Sequence, residues 1–352
     1  MNLASYRTLG RSGLRVSPLA LGAMNFDDGS WGSDESASFA LLDRYREAGG
    51  NFVDTANMYS AGQSEQALGA YFAKHAGVRD RLVLATKFGG NMYPGDPNGG
   101  GAGRKAIREQ VDASLGRLGT DYLDLYWQHQ WDPHTPVEET LSTLNHLVQA
   151  GKIRYIGLSN TPAWFVAQAE TTAMFRGWAR VVALQVEYSL LERTVEGEIL
   201  GVARQFGMGI TPWSPLASGV LTGKYTRENA TPEGSKRHTY AASHLTEATF
   251  TLLDALGRIA GELDTTVAAV SLAWLLAQPQ VTPLIGPRTM AQFDDNVASL
   301  GVRLTDTHLA EIDALSKPRL NYPADVITHI GTAFQQGGTT INGLASQLFA
   351  RQ

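Results

Sequence analysis

Eight short apolar runs alternate with segments of helical periodicity, and no linker or composition shift interrupts them. Together these observations predict an α/β chain folded as a (β/α)8 TIM barrel. The strand candidates are Leu19–Gly22, Asn51–Asp54, Leu82–Thr86, Leu123–Trp127, Ile153–Leu158, Val182–Val186, Gly209–Thr211 and Val281–Leu284. Between them, period-3.6 spacing marks Asp34–Ala48, Glu65–Lys74, Arg104–Leu118 and Val137–Ala150 as helices. Gly49-Gly50, Gly119 and Gly151 follow three of these helices, where a left-handed residue commonly ends the turn. Asp34, Thr135 and Thr161 are N-cap candidates, and Pro136 and Pro162 suit first helical turns.

Eight such units close on themselves in about 250 residues. The chain has 352, and the excess goes to an N-terminal β-hairpin, two long loops and a tail. The hairpin pairs Tyr6–Leu9 with Leu14–Val16, the loops are Gly89–Gly103 and about Ala217–Ser243, and the tail after Leu315 shows little periodicity before Ile341–Phe349. Residues 1–352 thus read as a single domain with a core of about 6–315. An open doubly wound sheet would need a Gly-rich turn after its first strand. LALGAMNF is not G-x-G-x-x-G, so any dinucleotide must be held in another way.

Composition narrows the function. With 43% hydrophobic and 18% charged residues the chain is ordinary globular protein, and its net charge of -5 argues against a general nucleic-acid binder. The opening residues hold no apolar core of signal-peptide length, and no run approaches a membrane span. Val267–Ala277 is short enough to be a core helix. Cysteine is absent, which excludes thiolate chemistry and disulfides. A cytoplasmic location is expected. The histidines show no metal-ligand spacing, and no metal site is expected.

Chemistry is expected at the strand ends, because the C-terminal rim of such a barrel carries the active site. Asp54, Tyr59, Lys87 and His129 follow the second, third and fourth strands and should share one sector of that rim. A tyrosine with a pKa of about 10 keeps its proton at neutral pH. A lysine ammonium at about 4 Å would favour the tyrosinate by roughly 4 kcal/mol, near three pKa units. Asp54 would cancel part of this while holding Lys87. His129 could orient a carbonyl oxygen or relay a proton. The set suits protonation of an alkoxide forming from a carbonyl.

The motifs FVDTANMYSAGQSEQALG, LATKFGG, LGTDYLDLYWQH, KIRYIGLSN, WSPLASGVLTGKY and LIGPRTMAQFDDN resemble, in order and spacing, those of the aldo-keto reductase superfamily. The resemblance runs from about Tyr6 to Leu315 and implies a (β/α)8 barrel binding NADP(H) without a Rossmann motif. It places the family's catalytic Asp, Tyr, Lys and His on Asp54, Tyr59, Lys87 and His129. It also implies a cofactor site. Ser159, Asn160 and Gln185 would hold the nicotinamide carboxamide with Trp213 stacked on the ring, and Gly22, Met24 and Asp54 would also bind the cofactor. Ser214, Pro215, Leu216, Gly219, Leu221 and Lys224 would clamp the pyrophosphate, and Gly286, Arg288, Gln292, Asp295 and Asn296 the adenosine end. Trp213 departs from the tyrosine often found there, which changes pocket shape. The Arg288 fork suits a 2′-phosphate. Phe26, Trp31, Phe88, Trp127 and Trp131, with Met92 and Tyr93, are candidates for a pocket taking an apolar or ring-bearing carbonyl.

The expected partner is a small carbonyl or alcohol, a homo-oligomer is left open, and neither membrane nor nucleic acid is expected. GRSGLRVSPLALG also resembles the β subunits of voltage-gated potassium channels, which are cofactor-binding regulatory modules. Those subunits typically lack a histidine at the position of His129, which this chain keeps.

Overall fold

A computed structural model describes residues 1–27, 29, 32–232 and 238–348. A short antiparallel hairpin, β1 (Arg7–Thr8) and β2 (Arg15–Val16), opens the chain. The barrel strands are β3 (Ala20–Gly22), β4 (Phe52–Asp54), β5 (Val83–Phe88), β6 (Leu123–Gln128), β7 (Ile153–Ser159), β8 (Val181–Glu187), β9 (Gly209–Trp213) and β10 (Leu284–Ile285). They pair in parallel in the order β10-β3-β4-β5-β6-β7-β8-β9. A parallel bridge between Ile210 and Val281 closes the ring. There the Ile210 N–H donates to the Gln280 carbonyl at 3.0 Å and the Thr282 N–H to the Ile210 carbonyl at 2.8 Å. The architecture is thus the eight-stranded barrel that the alternation of patterns predicts.

The barrel helices are α1 (Glu35–Glu47), α2 (Gln63–Lys74), α3 (Arg104–Leu118), α4 (Val137–Gln149), α5 (Ala163–Arg176) and α6 (Ile199–Phe206). The long β9–β10 connection carries α7 (His238–Ala241), α8 (Glu247–Glu262) and α9 (Val267–Leu276), and α10 (Met290–Ala298) and α11 (Asp306–Ser316) follow β10. Asp34 caps α1 by accepting from the Ala37 N–H at 2.9 Å, and Gly119 ends α3 in the left-handed region at φ 61°. Thr135 and Thr161 are not caps. Each stands one residue too early, and Pro136 and Pro162 take the cap positions. The two threonine hydroxyls turn instead to the Asp132 carboxylate at 2.6 Å and the Ser159 carbonyl at 2.9 Å.

Two apolar layers follow from strands buried on both faces. An outer layer fills the space between sheet and helices, and an inner one fills the barrel with Leu9, Val16, Phe52, Ala85, Leu125, Trp127 and Ala183. The hairpin residues Leu9 and Val16 belong to the inner layer, so β1 and β2 stopper the end opposite the active rim. α9 is apolar on every side because every residue from Ala268 to Leu276 is buried. No single helix is long and apolar enough to cross a membrane. The tail differs from expectation. It forms α12 (Ala324–Gln336) and a small hairpin, β11 (Thr340–Ile341) with β12 (Leu344–Ala345), while residues 349–352 lie outside the described residues.

Candidate active site

Strand parity brings the four ionisable side chains together. Asp54 ends β4 and Lys87 is the penultimate residue of β5, both pointing into the barrel mouth, and His129 follows β6 immediately. The Lys87 ammonium donates to Asp54 Oδ1, and to the Thr55 carbonyl at 2.8 Å. Both members of this ion pair are fully buried. Asp54 Oδ2 accepts from Trp127 Nε1 at 2.9 Å and Gln185 Nε2 at 3.0 Å. After Tyr59 the chain reverses through three left-handed positions, Ser60, Ala61 and Gly62, before α2 begins. The turn sets the Tyr59 ring 5.7 Å from the His129 ring, nearly perpendicular at 85°, and 4.9 Å from Lys87 Nζ.

Electrostatics separates the roles these groups can play. Burial alone would lower the Lys87 ammonium's pKa, but the Asp54 carboxylate and Tyr59 oppose it and the net shift is upward. Lys87 therefore stays charged. Burial raises the Tyr59 phenol, Lys87 opposes the rise, and Asp54 adds to it. The net direction is upward, which reverses the expectation that the ammonium dominates. Removing the phenolate from water outweighs the neighbouring charge. His129 is pushed down to about 3, first by burial and then by Lys87, so its imidazole is neutral at physiological pH. Its Nδ1 is buried without a hydrogen-bond partner among the described residues.

A cleft of about 890 Å³ opens from these groups across the rim from β7 to β10. Asp54, Tyr59 and His129 line it, while Lys87 sits behind them. Of the residues expected to hold a dinucleotide, Gly22, Met24, Ser159, Asn160, Gln185, Trp213, Ser214, Pro215, Leu216, Gly219, Lys224, Gly286, Arg288, Gln292, Asp295 and Asn296 also line it. Leu221 does not; it is fully buried in the outer core, where the tight turns of 217–222 tuck it under the loop. The Asn160 amide ties the rim together, accepting from Trp213 Nε1 at 3.0 Å and donating to the His129 carbonyl at 3.0 Å. Ser159 Oγ is buried with no partner among the described residues. Gly219, at φ 92°, lies under Lys224, whose Nζ would be 3.3 Å from a β-carbon there. The Arg288 guanidinium lines the far end of the cleft and has no ion pair among the described residues.

The expected substrate pocket needs correction. Phe88 alternates with the inward Lys87, so it points outward and packs on Tyr126 at 4.9 Å in the helix-facing core. Trp127 points inward but lies beneath the site, fully buried, with its indole on Asp54. Phe26 is buried in the outer core. Trp131 is half-buried beside the site, edge-on to Trp164 at 5.4 Å, with its backbone N–H donating to the Asn160 carbonyl at 3.3 Å. Tyr93 is exposed on the 89–103 loop and Met92 half-buried there, neither lining the cleft. Trp31 lies outside the described residues. Asn25, Met58, Ser60, Ser218, Thr222 and Tyr240 line the cleft without having been singled out. Met58 and Ser60 flank Tyr59 and adjacency could have found them; Tyr240 sits on the short helix α7 of the β9–β10 connection, with no sequence signal.

The aldo/keto reductase family model matches residues 18–317. The chain is 40% identical to norsolorinic acid reductase stcV of Emericella nidulans over 317 residues, 86% of this chain and 79% of that protein. It is 39% identical to the uncharacterized oxidoreductase YrpG of Bacillus subtilis, over 85% of this chain and 92% of that one. It is also 35% identical to the aldo-keto reductase ausK of Aspergillus calidoustus, over 92% and 85%. The chain belongs to the aldo/keto reductase family. It is an oxidoreductase of the barrel type, with its rim cleft where that fold carries chemistry.

Proposed function

We propose that this protein is an NADPH-dependent carbonyl reductase, with Tyr59 as proton donor and Asp54, Lys87 and His129 completing the catalytic group. The observation that carries the reading is one phenol flanked by a buried ammonium and a neutral imidazole, on the wall of a cleft of about 890 Å³. The residues present fit that cofactor. The orphaned Ser159 hydroxyl, with Asn160 and Gln185, offers polar partners to a carboxamide. Trp213 offers a ring face, Ser214 to Lys224 a tight polar turn, and Arg288 an uncommitted cation for a 2′-phosphate. Bound reduced nicotinamide supplies the hydride that reduces a carbonyl carbon.

The protein's own groups handle the oxygen. Tyr59, its pKa raised by burial, holds its proton until negative charge develops on the substrate oxygen. An alkoxide is a far stronger base than a phenolate, so transfer then runs downhill. Lys87 stabilises the phenolate left behind, and Asp54 fixes Lys87. The neutral His129 offers an N–H to the same oxygen, which orients the carbonyl. The reaction is reversible with the same residues. Met58, 49% exposed at the cleft, and the Trp131–Trp164 pair favour a carbonyl on an apolar or ring-bearing body. Four relatives are named norsolorinic acid reductases, in keeping with a reductive activity.

A panel of aldehydes, ketones and sugars assayed with NADPH and NADH, followed at the absorbance of the reduced cofactor, tests the reading. Tyr59→Phe should lower kcat by about 10²–10⁴ while the dissociation constant for NADP+ barely moves. Arg288→Ala should weaken NADPH by about tenfold and leave NADH nearly unchanged. Near-normal turnover of the phenylalanine variant would refute the role of Tyr59. Equal kcat/KM for both cofactors, unaffected by Arg288→Ala, would refute the preference.

A further inference from the structure

Beneath the site a row of residues in register crosses the barrel: Lys87 on β5 opposite Trp127 on β6, Trp127 opposite Gly157 on β7, and Gly157 opposite Ala183 on β8. Large side chains stand next to small ones, as they must to fill a barrel layer. A β-carbon at Gly157 would come within 2.1 Å of Trp127 Cε3. The β7–β8 register shifts between Ile156 and Gly157, but the Gly157 backbone is not left-handed, so what glycine supplies there is room for the indole. The seat so formed aims the indole N–H at Asp54 Oδ2. A buried indole needs a hydrogen-bond partner, and here it takes one oxygen of the carboxylate whose other oxygen holds Lys87. The second donor to Oδ2, Gln185, lines the cleft, whereas Trp127 is sealed beneath it.

We propose that Trp127, seated on Gly157, is a positioning residue: its N–H holds the Asp54 carboxylate and so sets how much of the Lys87 charge reaches Tyr59. This rests on Tyr59 as the proton donor. Without the indole donor, more negative charge concentrates on Asp54. That carboxylate then binds the Lys87 ammonium more tightly, and the phenol becomes harder to ionise. The effect acts on proton transfer and not on assembly of the cleft.

Two replacements test it: Trp127→Phe, and Trp127 exchanged for 3-benzothienylalanine, which keeps the bicyclic shape and loses only the N–H. Both should lower kcat for reduction by about tenfold while KM for the carbonyl stays within about twofold. The affinity for NADP+, read by fluorescence titration without turnover, should not change. The rising pH–rate curve of alcohol oxidation should move to higher pH by about half a unit or more, because the phenol must ionise to act as base. Gly157→Ala, which displaces the indole, should act in the same direction. A benzothienyl variant with unchanged kcat and an unmoved pH–rate curve would overturn the proposal, even if Trp127→Phe is merely less stable. A wild-type protein inert toward every carbonyl would instead remove the reading of Tyr59, and this inference with it.

Discussion

Adjacent residues of β5 serve two buried ion pairs on opposite faces of one strand. Lys87 points inward to Asp54, while the Thr86 hydroxyl points outward and donates to Glu65 Oε1 at 2.6 Å. Glu65 Oε2 then accepts from Arg117 Nε at 2.6 Å, tying α2 to α3. Both carboxylates are out of solvent, and both would cost several kcal/mol if left alone. The outer pair has fixed partners and no access to the cleft. The inner pair passes its charge to a phenol that faces open space. A buried ion pair thus becomes chemistry only where one member leads to a titratable group at a cavity; otherwise it fastens helices.

The comparison can be broken most sharply at Lys87. Lys87→Met should reduce kcat by about a thousandfold and also destabilise the fold, since Asp54 is then buried uncompensated. Adding Asp54→Asn should restore much of the stability and none of the rate, as read by thermal melts and turnover of the same preparations. At the outer pair the pattern inverts. Arg117→Met should cost roughly 3–5 kcal/mol in denaturant unfolding yet leave kcat per folded molecule within about twofold. The double replacement Glu65→Leu with Arg117→Met should recover most of that loss. A matching collapse of kcat there would mean that the two pairs are not separable.

His129 gives the smallest effect. Its folded-state pKa of about 3 lies below the ordinary value of about 6.5. Below about pH 6.5 the unfolded chain therefore takes up a proton there that the folded one refuses, and acidification across that window favours unfolding. His129→Gln should flatten the fall of Tm between neutral pH and about pH 4 relative to wild type. A steeper fall in the variant would mean that the folded imidazole is protonated.

Much of this was legible in the sequence because apolar runs that end in charge are rare and mark where a buried strand meets a rim. Asp54, Lys87 and His129 came from that signal, and Asp34 and Gly119 from the chemistry of helix ends. What failed was parity. A strand apolar on both faces gives no alternation to say which neighbour points inward, so Phe88 and Trp127 were expected in the pocket and lie in the two cores. The direction of the Tyr59 shift was also illegible, since burial outweighs Lys87 and burial is a property of the packed molecule. α12 was missed although Pro323 precedes it and Gly337 follows. Ile327 and Ile330 remain exposed on it, so its apolar spacing marks no stripe buried in the core.

The bridge at Ile210 makes the barrel wall uneven, with most staves laced along their length and β9 and β10 pinned near a single residue. The cleft lies along this margin, with Trp213 on one bank and Leu284 to Arg288 on the other. A long molecule lying there would work as a hoop as well as a reagent, reinforcing the wall where it is thinnest.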